Sequence, residues 1–150
     1  MRRITFSLVA VVALAGVLTY MVPHLDTSMA GSTPGAPLRE TVTVAADEPI
    51  PNLPGKRLVT HIVDYPPGAS SAPHRHARSA FIYAYVLAGA IRSQVDDEPV
   101  RVYRPGETWF ERPGAYHRVS ANASDTEPAR LLAVLIVDAA DQQLVIPDPQ

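Results

Sequence analysis

Residues 65–89 of the chain read YPPGASSAPHRHARSAFIYAYVLAG. A Pro-Pro-Gly turn signal stands near the start, and large apolar and aromatic residues run from the histidine pair to a glycine. His74 and His76 are separated by one residue, so on a β-strand both imidazoles project to the same face, about 7 Å apart along the chain. An imidazole nitrogen binds a transition metal at roughly 2.0–2.1 Å, so two such rings can share one ion with a third ligand from another strand. The stretch therefore predicts strands that carry a metal site.

The third ligand is expected from residues 105–117, which read PGETWFERPGAYH. Two Pro-Gly turns bracket a short strand in this stretch, and His117 follows the second turn. Buried imidazoles need hydrogen-bond partners, so three of them facing inward are hard to explain by core packing. We therefore expect His74, His76 and His117 to hold one divalent transition metal. His61, in the middle of another strand, is expected to be a hydrogen-bonded barrel residue instead.

From residue 41 onward the chain alternates short β-branched or aromatic stretches with clusters of turn residues. This spacing is typical of an all-β sandwich or barrel, and no amphipathic helix of useful length interrupts it. The final residues, 141–150, are polar and contain proline, so they are expected to lie loosely on the surface. The predicted strands comprise residues 41–44, 57–65, 70–76, 80–87, 90–95, 100–103, 108–111, 117–121 and 129–137.

The N-terminal residues have the layout of a secretory signal peptide. A short basic start precedes an apolar run at residues 8–18, and Ser28 and Ala30 are small residues at the positions that a signal peptidase reads. Residues 4–22 approach the length that spans a bilayer, so an uncleaved anchor in the inner membrane is the alternative. Either interpretation predicts an exported domain, periplasmic or secreted.

Composition limits the class of protein. Without residues 1–30 the chain loses Arg2, Arg3 and Asp26, so its formal net charge moves from −2 to −3, which gives no reason to expect a nucleic acid partner. About 120 residues then remain, the size of one ordinary domain. The sequence has no cysteine, so any metal must be held by nitrogen and oxygen ligands. The predicted organisation is a signal peptide or anchor at residues 1–30, a flexible linker at 31–39, a β-domain at 40–138 and a tail at 139–150.

Two linked motifs resemble those of the cupin superfamily. The first spans residues 67–89 and joins a Pro-Gly turn, the H-x-H pair and the sequence YVLAG. The second spans residues 106–122 and joins two glycine turns, His117 and Asn122. In particular the chain resembles small, exported, single-domain bacterial cupins, including those similar to quercetin dioxygenase. The resemblance implies a double-stranded β-helix (jelly-roll) barrel over residues 40–138 with a metal in its mouth, and a homodimer.

The first motif departs from the family pattern in its carboxylate. Cupins usually carry a glutamate between the second histidine and the glycine, as a fourth metal ligand. That position is Ile82 when it is counted back from Gly89. It is Ala80 or Phe81 when it is counted forward from His76, and none of these residues can ligate a metal. The simplest inference is a three-histidine site, with Fe(II) favoured and Zn, Ni, Cu or Mn as alternatives.

Glu111 is the first of three candidate catalytic residues. The acetylacetone-cleaving cupin dioxygenase, which also uses three histidines, resembles this chain in having a glutamate six residues before its third histidine. The resemblance suggests that Glu111 orients His117 or a bound water. The alternative is a surface carboxylate paired with Arg112 or Arg118.

Arg92 and Gln94 are the other two candidates, and they share one face of a predicted strand. The same dioxygenase has an arginine on the strand after the first motif, as Arg92 is here. If this face is inward, the pair offers a cation and an amide to a substrate enolate, and Gln94 would replace the missing ligand. In the alternative orientation both face solvent, and Ile91 and Val95 fill the core.

The sequence supports two functions. The first is a metal-dependent oxygenase that acts on a small enolisable or aromatic substrate, with a non-redox lyase or isomerase as a variant. The second is a non-catalytic module that holds a metal or a small-molecule ligand, which the missing carboxylate keeps open. Fold alone does not decide between them, because one barrel supports many chemistries.

Overall fold

The computed structural model describes residues 38–148, which form ten β-strands with no helix among them. Within this range, no helix is long and apolar enough to cross a membrane. The predicted signal peptide or anchor at residues 1–30, and the linker up to residue 37, lie outside the described residues. The strands are β1 (Thr41–Pro49), β2 (Lys56–Tyr65), β3 (His74–His76), β4 (Phe81–Ala88), β5 (Ile91–Val95), β6 (Arg101–Tyr103), β7 (Thr108–Glu111), β8 (Tyr116–Asn122), β9 (Ala129–Asp138) and β10 (Val145–Pro147).

The strands form two five-stranded antiparallel sheets. Sheet A has the order β1-β2-β9-β4-β7, and sheet B has the order β10-β3-β8-β5-β6. Many neighbours within a sheet are distant in sequence, as β2 and β9 are in sheet A and β3 and β8 are in sheet B. The chain therefore winds alternately through the two sheets as a double-stranded β-helix, and the predicted all-β jelly-roll class is confirmed.

Alternation along the strands places the apolar side chains between the sheets. In β4, Ile82, Ala84 and Val86 are buried, whereas their neighbours in sequence are exposed or half-buried. Each large aliphatic side chain that is fully buried stabilises the fold by about 1.5–3 kcal/mol. The buried apolar residues form two clusters rather than one. Residues of both clusters line the cavity described below, so the cavity interrupts the core.

The structure differs from the sequence prediction in the strand that carries the histidine pair. The prediction extends this strand over residues 70–76, whereas β3 comprises only His74–His76. Ser70 makes an isolated bridge to Ala121. Pro73 separates the two segments and has no N–H to donate to a ladder.

The C-terminal residues also differ from the loosely attached tail that the sequence predicts. Strand β10 pairs with the edge of β3, with Val145 opposite His76. Leu144 packs against the core, and its carbonyl accepts a hydrogen bond of 3.1 Å from the backbone N–H of Ala77. Apolar residues in an otherwise polar segment thus anchor it beside the histidine pair.

Candidate metal centre

Histidines from two strands meet between the sheets. His74 on β3 is the direct register partner of His117 on β8, and His76 lies two residues further along β3. The ring centroid of His74 lies 4.8 Å from that of His76 and 5.3 Å from that of His117, and the centroids of His76 and His117 are 6.1 Å apart. One ring nitrogen of each residue lies within 4.8 Å of the others. The structure brings together the three histidines that the sequence predicts as metal ligands.

Two of the rings are held by a hydrogen bond at one of their nitrogens. Nδ1 of His74 lies 2.8 Å from the carbonyl oxygen of Ala72, to which it donates, so Nε2 keeps its lone pair. Nε2 of His117 lies 2.9 Å from the hydroxyl of Ser93, and Nδ1 of the same ring faces the Glu111 carboxylate. Such a partner on the second nitrogen fixes the tautomer and orientation of a metal-binding histidine.

His76 is the buried ring that lacks an aligned hydrogen bond. It is 7% exposed, and neither of its ring nitrogens makes an aligned hydrogen bond with any residue from 38 to 148. A buried polar atom left unsatisfied costs about 1–3 kcal/mol, and a metal ion would satisfy one of these nitrogens. Two nitrogens bound to one ion are at most about 4.2 Å apart, so ring movements of under about 1 Å would bring all three into range. The residues fit a divalent transition metal.

Glu111 places a buried carboxylate against the histidines. Its side chain is 3% exposed, with Oε2 3.0 Å from Nε2 of His76 and Oε1 3.4 Å from Nδ1 of His117. The indole N–H of Trp109 donates a hydrogen bond of 3.1 Å to Oε1, whereas Oε2 has no aligned hydrogen bond with a described residue. Glu111 is therefore not the surface carboxylate of the alternative interpretation, because it contacts two of the three candidate ligands.

Burial and close charges set the protonation of the site. Burial lowers the pKa of His117 to about 4, against the opposing field of Glu111. Burial also lowers the pKa of His74. Burial alone would raise the pKa of the Glu111 carboxyl, but its contacts with His76 and His117 outweigh burial and lower that pKa to about 2. At neutral pH, His74 and His117 are neutral and Glu111 is ionised, which are the protonation states that metal binding requires.

A cavity of about 300 Å³ adjoins the histidines. This volume is at the lower end of the range for small-molecule sites. Segments near both ends of the described chain, including Arg39 and Pro147, contribute to its lining. The aliphatic lining consists of Val42, Val63, Ala72, Ile82, Ala84, Leu131, Ala133, Leu135 and Val145. The polar lining outside the metal centre consists of Arg39, Glu40, His61, Tyr65, Ser71 and Ser120.

Arg92 and Gln94 do not belong to the site, which corrects the sequence-based assignment. Arg92 is exposed, and the side-chain amide of Gln94 donates a hydrogen bond of 3.0 Å to the carbonyl of Glu98. The opposite face of β5 turns inward, with Ile91 buried and Ser93 3% exposed. The physical reason is that the apolar residues of β5 face the core, so the polar pair between them faces out. Ser93, which the sequence reading did not select, contacts His117.

His61 lines the cavity rather than serving as the hydrogen-bonded structural residue that the sequence predicts. It is half-buried, and its ring makes no hydrogen bond with any residue of the described range. Burial and the nearby His76 lower its pKa, so the ring is neutral at pH 7. The position follows from alternation along β2, where Val59, His61, Val63 and Tyr65 share the inward face.

Comparisons with known proteins agree with the fold and the motifs. The Cupin domain family model matches residues 61–135. Over 78 residues, 52% of this chain, the sequence is 30% identical to the cupin-domain-containing oxidoreductase fogC of Aspergillus ruber; the match spans only 37% of that protein. A conserved double-stranded β-helix protein from Klebsiella pneumoniae is 20% identical with a TM-score of 0.54, covering 74% of this chain and 85% of its own.

Oxalate oxidase in complex with glycolate has the same fold, with a TM-score of 0.56 at 21% identity, covering 77% of this chain and 58% of the oxidase. At sequence identities near 20%, the structural similarity shows a shared fold, whereas the family-model match shows the family. With both motifs inside the matched span, and the histidines of both motifs side by side in a double-stranded β-helix, the chain belongs to the cupin family.

Proposed function

We propose that the protein is a metal-dependent oxygenase that acts on a small enolisable or aromatic molecule. The observation that carries the proposal is the group of three histidines, backed by one buried carboxylate, at the wall of a largely apolar cavity. Imidazole ligands suit Fe, Ni, Cu and Zn, and three of them leave coordination positions for a substrate. Fe(II) is the ion we propose, because oxygenase chemistry needs a redox-active metal and a related cupin-domain protein is an oxidoreductase.

The ion would supply Lewis acidity toward substrate oxygen atoms and the redox chemistry that dioxygen needs. The chain itself supplies orientation and a dry site. The carbonyl of Ala72 and the hydroxyl of Ser93 hold the rings of His74 and His117 in place before a ligand arrives. The aliphatic wall excludes water, which strengthens the electrostatic interactions within the cavity. Glu111 offsets part of the positive charge, and its Oε2, which makes no aligned hydrogen bond with a described residue, can accept one from a water or a substrate hydroxyl.

Metal analysis tests the first half of the proposal. Full-length protein purified without added metal should contain close to one iron per chain, and the His76→Ala variant should lose it. His61→Ala is the matched control, because His61 lines the same cavity but does not belong to the three-histidine group. Unchanged metal content in the His76→Ala protein would refute the site.

Oxygen uptake tests the second half. The iron-loaded protein should consume dioxygen in the presence of a member of a panel of β-diketones and flavonols, and the His76→Ala protein should not. Tight ligand binding without oxygen uptake would instead identify a binding module. Turnover with Zn(II) or Ni(II) in the absence of dioxygen would identify a lyase or isomerase.

A further inference from the structure

The cavity contains three hydroxyl groups that the proposed metal centre does not use. Oη of Tyr65 lies 2.7 Å from Oγ of Ser120 and 2.9 Å from Oγ of Ser71. Tyr65 is 2% exposed and Ser120 is 4% exposed, so the group is built into the interior. All three residues, called the hydroxyl cluster below, line the same cavity as the histidines.

The hydroxyl cluster has one hydrogen more than its own hydrogen bonds consume. Three hydroxyls carry three hydrogens, and the two O···O contacts use two of them. Within residues 38–148, no carbonyl or carboxylate oxygen accepts a hydrogen bond from these hydroxyls. A buried donor without an acceptor is costly, so an acceptor is expected to arrive from the cavity.

The protonation of Tyr65 keeps this donor available. Burial raises the pKa of the Tyr65 hydroxyl above its ordinary value, so the group keeps its hydrogen at neutral pH. At neutral pH the Tyr65 hydroxyl therefore remains a donor. Either serine can carry the unshared hydrogen, and both serines line the cavity.

Glu40 complements the cluster. Its Oε2 is buried, has no hydrogen bond with a described residue and belongs to a side chain that lines the same cavity. The cavity thus combines a donor that lacks an acceptor with an acceptor that lacks a donor. The remaining wall is mostly aliphatic, with Arg39 as a further charged side chain outside the metal centre.

We propose that the hydroxyl cluster donates its unshared hydrogen to an oxygen atom of the ligand, so that the cavity takes small molecules that combine an apolar body with an oxygen acceptor. This inference deepens the proposed function and rests on it only in taking the cavity as the ligand site.

Tropolone, an apolar ring with two adjacent oxygens, is the probe that tests the inference. It absorbs where tryptophan emits, and Trp109, the single tryptophan of the chain, has its ring centroid 6.3 Å from that of His117. Quenching of Trp109 fluorescence therefore reports tropolone binding, and the triple variant described below tests whether that binding involves the cavity. The full-length protein is loaded with Co(II), and its visible spectrum reports the binding of azide, which has no oxygen and needs only the metal.

The informative variant removes all three hydroxyl oxygens at once, as Tyr65→Phe, Ser71→Ala and Ser120→Ala. Removing the whole cluster leaves no orphaned partner, so the triple variant is expected to fold with a similar thermal midpoint. Its tropolone affinity should fall about threefold to tenfold, the value of one neutral hydrogen bond, while its azide affinity stays the same. Tyr85→Phe is the control, because Tyr85 lies on the outer face of β4 and should bind both probes normally.

Equal tropolone affinity in the wild-type and triple-variant proteins would overturn the inference. An equal loss for azide would also overturn it, because the cluster would then act on the metal centre as a whole. The absence of any quenching in the wild-type protein would show that the cavity does not take such a ligand. If Co(II) is not taken up, the proposed metal centre fails, and the tropolone comparison in the metal-free proteins still decides the role of the cluster.

Discussion

Ile82 on β4 and Glu111 on β7 are direct register partners. Counted back from Gly89, Ile82 is the position where the cupin pattern has a ligating glutamate, and Glu111 brings a carboxylate oxygen to 3.0 Å from Nε2 of His76. Residues directly opposite each other in an antiparallel pair have Cβ atoms about 4.5–5.5 Å apart on the same face of the sheet. A carboxylate that is missing from one strand is therefore available to the same site from the next strand.

The Glu111→Gln variant tests the role of this charge. The substitution keeps the shape of the side chain but removes the negative charge and one acceptor, so we expect metal affinity to fall about 10- to 100-fold. Competition with a chromogenic chelator measures the change. Glu127→Gln, at an exposed position, should bind metal like the wild type. Equal affinities in the Glu111 and Glu127 variants would mean that the carboxylate does not support the ion.

The inward face of β5 supports a second prediction. Ser93→Ala removes the partner of Nε2 of His117, which frees the ring to change tautomer and orientation, so metal affinity should fall about tenfold or more. Gln94→Ala removes a neighbour on the outward face and should leave metal affinity unchanged. Competition with the same chromogenic chelator measures the metal affinities of the Ser93→Ala and Gln94→Ala variants. A larger loss for the Gln94 variant would show that the site depends on the other face of the strand.

The strands and the histidine cluster could be predicted from the sequence because their signals are local. Turn residues at short intervals mark the strand ends, and the spacing of His74 and His76 fixes their common face whatever the length of the strand. The third ligand followed from the second motif. His74 and His76 share one face in the structure even though β3 is shorter than the predicted strand.

The parts of the site that the sequence did not reveal depend on pairing between distant strands. Ser93 is a small polar residue between apolar neighbours, and its contact with His117 exists because β5 pairs with β8. The hydroxyl cluster requires the end of β2 to lie beside β8, which no local pattern encodes. The resemblance to the three-histidine dioxygenase suggests a role for Arg92, but the burial of Ile91 decides which face of β5 turns inward.

The depressed pKa of His117 predicts how the stability of the metal-free protein depends on pH. The unfolded chain binds this proton near the ordinary histidine pKa of 6.5, whereas the folded chain binds it near 4. Between these values the unfolded state holds more protons, so the free energy of unfolding falls as the pH is lowered from about 6.5 to 4. The full loss is about 3 kcal/mol, and the lowered pKa values of His74 and His61 act in the same direction.

Urea unfolding of the metal-free protein at pH 7 and pH 4.5 measures this loss. In His117→Gln, which cannot take up the proton, the decline between the two pH values should be smaller by about 2–3 kcal/mol. The carboxyl of Glu111, with its folded pKa near 2, keeps its contribution in this window and loses it only below about pH 4.5. Parallel declines in the two proteins would show that His117 is protonated to the same extent in the folded and unfolded chains.

Gly89 lies in the turn between β4 and β5, at the end of the first motif. Its substitution tests how closely this turn packs against the neighbouring backbone. Its φ of 68° lies in the left-handed region, and a Cβ added there would stand 2.4 Å from the carbonyl oxygen of Pro128 and 2.7 Å from Cα of Ala129. Gly89→Ala should therefore combine backbone strain with overpacking, about 2–5 kcal/mol in total. Gly106→Ala is the control, because Gly106 has φ 90° but open space around it, and should lose only about 1–2 kcal/mol. Chemical denaturation of the two variants measures the difference. Equal losses would mean that the backbone of the turn can yield, whereas a larger loss for Gly89→Ala would show that the β4–β5 turn, which leads into the strand carrying Ser93, is fixed by steric contact.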